Sequence, residues 1–135
     1  MNKKTIFTLA VVAALLTGCA RTAPIHNVNQ TLTQRYSDNQ MKLAIIEAGI
    51  GRKWVMTPVS PGVINGRLAQ RDFVATIRIT YTSQNYRIDY VSSENLKAEQ
   101  GEIHNNYNRW IANLDQDIQL RLSALAAQTT CCHHR

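Results

Sequence analysis

Four groups of side chains in this 135-residue chain have the types and spacing to do chemistry. The first is the run Cys131-Cys132-His133-His134 before Arg135. Thiolate and imidazole are ligands for a soft or borderline metal. Four adjacent side chains are nevertheless poorly placed to surround one ion tetrahedrally, and a mobile tail or an intermolecular disulfide is the plainer reading. The second is a basic stretch with Arg52, Lys53, Arg67, Arg71, Arg78 and Arg87 against the single acid Asp72. Guanidinium forks suit phosphate and carboxylate, so Arg67, Arg71, Arg78 and Arg87 are candidate anion ligands. Their bland alternative is a solvated sheet face whose charges oppose edge-to-edge aggregation. The third is Ile103-His104-Asn105-Asn106-Tyr107-Asn108-Arg109-Trp110. There His104, Tyr107, Arg109 and Trp110 gather at an expected helix start, where backbone N–H groups attract anions and an imidazole titrates near neutrality. A capped helix end with core aromatics explains the same residues. The fourth is Cys19, which no other cysteine accompanies before Cys131.

Cys19 ends a recognisable address. Met1–Thr5 carries Lys3 and Lys4, and Ile6–Leu16 is an apolar run too short for a bilayer core of roughly 30 Å. Together they have the layout of a secretory signal. Leu16-Thr17-Gly18-Cys19 resembles the bacterial lipobox. The resemblance covers the first 19 residues and implies diacylglyceryl transfer to the Cys19 thiol, cleavage between Gly18 and Cys19, and acylation of the new amine. Acyl chains contribute roughly 0.8 kcal/mol per buried CH2, enough together to hold a protein on a membrane. Ala rather than Asp at position 20 implies export to the outer membrane, on its periplasmic side.

Beyond the address, composition bounds the rest. Lys3 and Lys4 lie within the first 18 residues, which leaves 13 basic against 9 acidic side chains. That balance favours anionic surfaces in general and does not argue for nucleic acid, an improbable partner for an exported chain. Cysteines are absent from residues 20–130, so the body has no disulfide framework and depends on its apolar core. The sequence has no phosphate-binding glycine loop, no EF-hand loop and no nucleophile elbow, and implies no cofactor.

The elements that would position these groups follow from periodicity. Residues 20–36 are rich in Thr, Asn and Gln and read as a flexible tether of about 20–25 Å. Ser37-Asp38-Asn39-Gln40 has capping-box spacing. Met41, Ala44, Ile45 and Ala48 then fall on one helical face, which Leu43, Ile46 and Ile50 widen. Gly49 and Gly51 are stop signals. Extended runs follow at Lys53–Val59, Val63–Gln70, Phe73–Thr82 and Tyr86–Ser92. The third alternates most clearly, with Phe73, Ala75, Ile77, Ile79 and Tyr81 against Val74, Thr76, Arg78 and Thr80. Residues 93–104 contain a loop. Asn105 or Asn106 would cap a second helix whose stripe is Tyr107, Ile111, Leu114, Ile118, Leu122 and Leu125, with Trp110 beside it, ending near residue 126.

The expectation is an α+β fold in which both helices cover one face of a three- to four-stranded antiparallel meander. Its divisions are a signal (1–18), a lipidated Cys with a tether (19–36), a folded domain (37–126) and a mobile tail (127–135). The functional expectation is a non-enzymatic envelope lipoprotein that binds or helps assemble another envelope component. Its partner would meet the open sheet face, a sheet edge, or the Trp110 region. One alternative is an anion-binding module for lipid headgroups, lipopolysaccharide or peptidoglycan groups. Another is an envelope-modifying enzyme using His104 as acid or base. Uncovered sheet edges would also permit a homo-oligomer.

Overall fold

A computed structural model describes residues 22–133 in backbone and side chains through residue 128. In chain order the elements are β1 (Thr22–Pro24), β2 (Val28–Thr31), α1 (Asp38–Gly51), β3 (Val55–Ser60), β4 (Val63–Gln70), β5 (Phe73–Tyr81), β6 (Asn85–Glu94), β7 (Glu102–His104) and α2 (Asn105–His133). The fold is α+β, with a five-stranded antiparallel sheet in the order β2-β6-β5-β4-β3 and a small β1–β7 pair.

β3 to β6 form the expected meander. Pro61-Gly62 closes β3 onto β4, with Gly62 at φ 77°, the left-handed conformation a type II turn requires at that place. Arg71-Asp72 closes β4 onto β5, with Arg71 at φ 57°. One face of the sheet presents Ile64 and Leu68 from β4, Ala75, Ile77, Ile79 and Tyr81 from β5, and Tyr86 and Ile88 from β6, all buried. α1 adds Met41, Ala44, Ile45 and Ala48, and α2 adds Tyr107, Ile111, Leu114, Ile118 and Leu122. These residues make one continuous core. Both helices therefore lie on the same side of the sheet and run antiparallel, with ion pairs bridging them at Arg121–Glu47 (3.1 Å) and Arg52–Asp117 (2.7 Å).

α1 opens on the capping box. Gln40 N donates to Ser37 Oγ at 3.0 Å, and Ser37 N donates to Gln40 Oε1 at 2.9 Å. Its C-terminus is a Schellman motif, with Trp54 N donating to Gly49 O and Lys53 N to Ile50 O. The left-handed position in that motif is Lys53, φ 70°, not a glycine. Gly49 is there for packing, because a Cβ on it would lie 2.4 Å from Met56 Sδ.

The structure corrects the sequence reading in four places. Residues 22–36 are not a tether. β1 pairs with β7, β2 adds to the sheet edge beside β6, and Val28 and Tyr36 join the core. Residues 93–104 do contain a loop, at 95–101, between the end of β6 at Glu94 and β7, with Leu96 and Ile103 buried. α2 does not stop near residue 126, nor is 127–135 wholly a tail, because helical backbone continues to His133. The cap of α2 is His104 rather than an asparagine, with Asn106 N donating to His104 Nδ1 at 3.1 Å. Finally, Leu43 and Ile50 do not widen the core face of α1 and are 45% and 61% exposed. Gly18 and Cys19 lie outside the described residues, as do the side chains of Cys131, Cys132 and His133 and all of His134.

Candidate functional site

Among the described residues, no element packs on the face of the sheet opposite the helices. Strand alternation places Arg67 (β4), Arg78 (β5) and Arg87 (β6) there, one on each of three adjacent strands. In register, Arg87 pairs with Thr80, Arg78 with Asp89 and Asn65, and Arg67 with Thr76. Successive same-face positions along a strand are almost 7 Å apart. The three arginines thus form a diagonal ridge with a pitch of about 7–8 Å between neighbours. Arg71 is not part of it, because it sits in the two-residue turn beyond Gln70.

The ridge is unevenly neutralised. Arg87 pairs with Asp89 at 3.3 Å. Arg78 Nε donates to the neutral Asn65 Oδ1, also at 3.3 Å. Arg67 is exposed, and its side chain has no hydrogen bond or ion pair among the described residues. Two of the three guanidiniums are therefore left without an acidic hydrogen-bond partner on that face. Val55, opposite Arg67, is 65% exposed. Val91 is the extra residue where β6 shifts register against β5, and it too is exposed. The face thus mixes Arg, Thr and Asn with a few bare valines.

The edges of the sheet are less inviting. β2 is four residues long. β3 carries Pro58 and a register shift between Pro58 and Ser60. Short strands, prolines and bulges at an edge are devices that discourage pairing with another chain.

The second candidate group is divided by the fold. Tyr107 is fully buried, edge-on to Tyr90 with ring centroids 5.5 Å apart. Burial, with smaller contributions from Tyr90 and Asp89, pushes its phenol well above the ordinary tyrosine range. His104 lies with its ring centroid 6.1 Å from that of Phe73. Its Nδ1 lone pair is engaged as the helix cap, which leaves only Nε2 for proton transfer. Arg109 is exposed. Trp110, half-buried, lines a cleft of about 160 Å³ with Arg52, Trp54, Leu68, Gln70 and Asn113.

That cleft was not legible in the sequence, because its walls come from β4, α2 and the connection after α1. Its volume is below the range of about 300–1,000 Å³ typical of small-molecule sites. Trp54 Nε1 and Tyr107 Oη are buried without a hydrogen-bond partner among the described residues. Three depressions are larger: one of about 310 Å³ beside Thr22, Lys97 and Glu102, and two, of about 360 and 530 Å³, that are open grooves along the α1–α2 seam. Leu43, Ala44, Ala124 and Leu125 line the first of these grooves, and Gly51, Asp117 and Leu120 line the second. Among the described residues no cluster of His, Cys, Asp or Glu could hold a metal ion, and no helix is long and apolar enough to cross a membrane.

No protein-family model matches this chain, and no curated protein matches its sequence.

Proposed function

We propose that this chain is an envelope lipoprotein, held by lipid on Cys19 at the periplasmic side of an outer membrane. In this reading its folded body is a non-enzymatic binding or assembly-accessory module. The observation that supports the reading best is the open sheet face. Five strands are ordered and twisted by a core that lies wholly on their other side, and the resulting surface mixes unneutralised arginine with exposed valine. Rigid, half-apolar surfaces with arginine are suited to macromolecular contact. The blunted edges favour this face over strand addition as the place of contact.

The test is photo-crosslinking in cells from residues replaced on the open face, at Thr57 and Thr76, with Ser123 on the exposed side of α2 as control. A discrete adduct from the face and none from Ser123 is expected. Equal capture from all three positions would overturn the assignment of the face. Intact mass of the mature chain tests the lipid on Cys19 separately.

The lack of an acidic hydrogen-bond partner at Arg67 and Arg78 favours a second reading, in which the same face holds an anionic envelope group such as a phosphate. Arg67→Gln with Arg78→Gln would then abolish binding to anionic vesicles, and the parent's binding would weaken as salt rises. Salt-independent binding would rule that version out.

A further inference from the structure

The way the amino-terminal segment is stitched into the fold fixes which end of the domain meets the membrane. From Thr22 to His26 the chain is held by pairing and hydrogen bonds to β7, Gly101 and Asn108. Thr22 is in register with His104, and its Oγ1 donates to Glu102 Oε1 at 3.0 Å. Ile25 N donates to Gly101 O at 2.8 Å. His26 N donates to Asn108 Oδ1 at 3.0 Å, and Asn108 Nδ2 donates back to Pro24 O at 2.9 Å. Cys19 precedes Thr22 by three residues. Three residues span at most roughly 11 Å when fully extended. A lipid on Cys19 therefore has a leash of one headgroup layer, not a tether.

Thr22 emerges at one end of the molecule. His104, beside it, lies against Phe73, the first residue after the Arg71-Asp72 turn. Asn95, where β6 ends, donates through Nδ2 to Asp72 O at 2.6 Å. The opposite end carries the Pro61-Gly62 turn, the β5–β6 turn and the start of α1, where Tyr36 N donates to Ser83 O. α2 starts at the first end and runs toward the second. At 1.5 Å per residue its length is roughly 44 Å.

We infer that the end formed by the Arg71-Asp72 turn, Asn95–Lys97 and the Thr22–His104 pair rests on the headgroups of the leaflet that holds the Cys19 lipid, while the Pro61 end stands off into the aqueous space. This rests on the reading of Cys19 as lipidated. Charge does not set the orientation. Arg71, Lys97 and Arg109 at this end are matched by Asp72, Glu99 and Glu102, so attraction to anionic lipid largely cancels. The short covalent link sets it. In consequence the open sheet face stands side-on to the membrane, reachable from the aqueous space.

The test uses the full mature lipoprotein, with Cys131→Ser and Cys132→Ser, in phosphatidylethanolamine–phosphatidylglycerol vesicles containing a headgroup-bound quencher. Single fluorophores are placed through Arg71→Cys, Lys97→Cys, Pro61→Cys and Thr82→Cys. Quenching several-fold stronger at 71 and 97 than at 61 and 82, unchanged between low and physiological salt, is expected. A Gly/Ser insertion of about 15 residues after Ala20, with an r.m.s. reach of roughly 20 Å or more, should erase the difference. Equal quenching at all four sites in protein whose intact mass shows the lipid would overturn the orientation alone. A mass lacking lipid at Cys19 would overturn the lipoprotein reading and the orientation with it. A difference that collapses on adding salt would replace the leash with electrostatic docking.

Discussion

Tyr86 Oη on β6 donates to the Asp115 carboxylate on α2 at 2.5 Å, across the boundary between the sheet and the helix layer. Gln30 Nε2 from β2 donates to Asp115 Oδ2 at 3.2 Å, and Gln119 Nε2 to Oδ1 at 3.1 Å. One carboxylate therefore collects donors from the edge strand, a central strand and the helix. Tyr86→Phe removes the shortest of these bonds while keeping the ring, and should destabilise the domain by about 1.5–3 kcal/mol, the range for bonds to a charged group. Asp115→Ala instead leaves the buried Tyr86 hydroxyl only the long bond to the main-chain oxygen of residue 115, at 3.4 Å, and should cost about 1–3 kcal/mol. Urea unfolding of the two single variants and the double variant should show strong non-additivity. Additive losses would mean that the bond is not a shared unit.

The same tyrosine and Tyr107 govern behaviour in alkali. Burial is the largest cause raising both phenols above their ordinary value near 10, and Asp115 adds to it at Tyr86. A phenol whose pKa is raised in the folded state contributes stability that is complete below the unfolded value and is lost as pH rises above it. Stability should therefore be flat through neutrality and fall above about pH 10. Ultraviolet absorbance should show two tyrosines that ionise only as the fold is lost. Smooth ionisation of all five tyrosines in the folded protein would contradict this.

In acid the relevant pair is Arg52–Asp117. The Arg52 hydrogen bond holds the Asp117 carboxyl below its ordinary value of 3.8. A depressed folded pKa contributes stability that is present above the unfolded value and lost as pH falls through the folded one. Asp117→Asn should make the acid limb of the stability profile shallower below about pH 4, with a small effect at neutrality because the pair is partly exposed. A parallel offset across the whole pH range would show that the loss is packing rather than charge.

Gly49 gives a test of sign. Gly49→Ala alone places a Cβ against Met56 and should lose about 1–3 kcal/mol through overpacking. With Met56→Ala already present the clash is gone, and the same change should gain up to about 1 kcal/mol from helix propensity. Thermal unfolding of the four proteins in the cycle reads the reversal directly. Destabilisation in both backgrounds would mean the close approach at Gly49 is not what selects glycine.

Removing residues 22–36 distinguishes a folded segment from a tether. The deletion strips Val28 and Tyr36 from the core, together with the bond from Tyr36 Oη to Leu122 O. Each buried side chain of that size is worth about 1.5–3 kcal/mol, so a loss of about 3 kcal/mol or more is expected, with poor cooperativity in urea. Unchanged unfolding would restore the tether.

What the sequence revealed depended on whether a residue's role was local. The alternation of Phe73–Thr82, the Ser37/Gln40 capping box and the Tyr107–Leu122 stripe are periodic signals, and each forms the expected element. The same alternation placed Arg78 and Arg87 on one face and left Arg67 and Arg71 to the register, which brings Arg67 to them. β1 and β2 were illegible because Thr-Ala-Pro and Val-Asn-Gln-Thr hold a single fully buried apolar side chain, Val28. Their order comes from distant partners, β7 and β6. Arg71 left the ridge because a two-residue turn needed it, and the Trp54–Trp110 cleft needs three elements to exist. In each case the missing information was tertiary register, which no local spacing encodes.

The pairing of β2 with β6 also orders the events of folding. β3 to β6 are joined by tight turns and can zip together from neighbouring contacts. Val28, by contrast, must find Ile88 across the whole meander. Closing so long a loop is slow relative to the hairpins. Until it happens, β6 keeps one flank of backbone amides and carbonyls unmatched, in a strand that carries Tyr86 and Ile88. The vulnerable moment for aggregation is this interval, and crowding many newly made copies together would prolong the risk at β6 rather than at the proline-guarded β3.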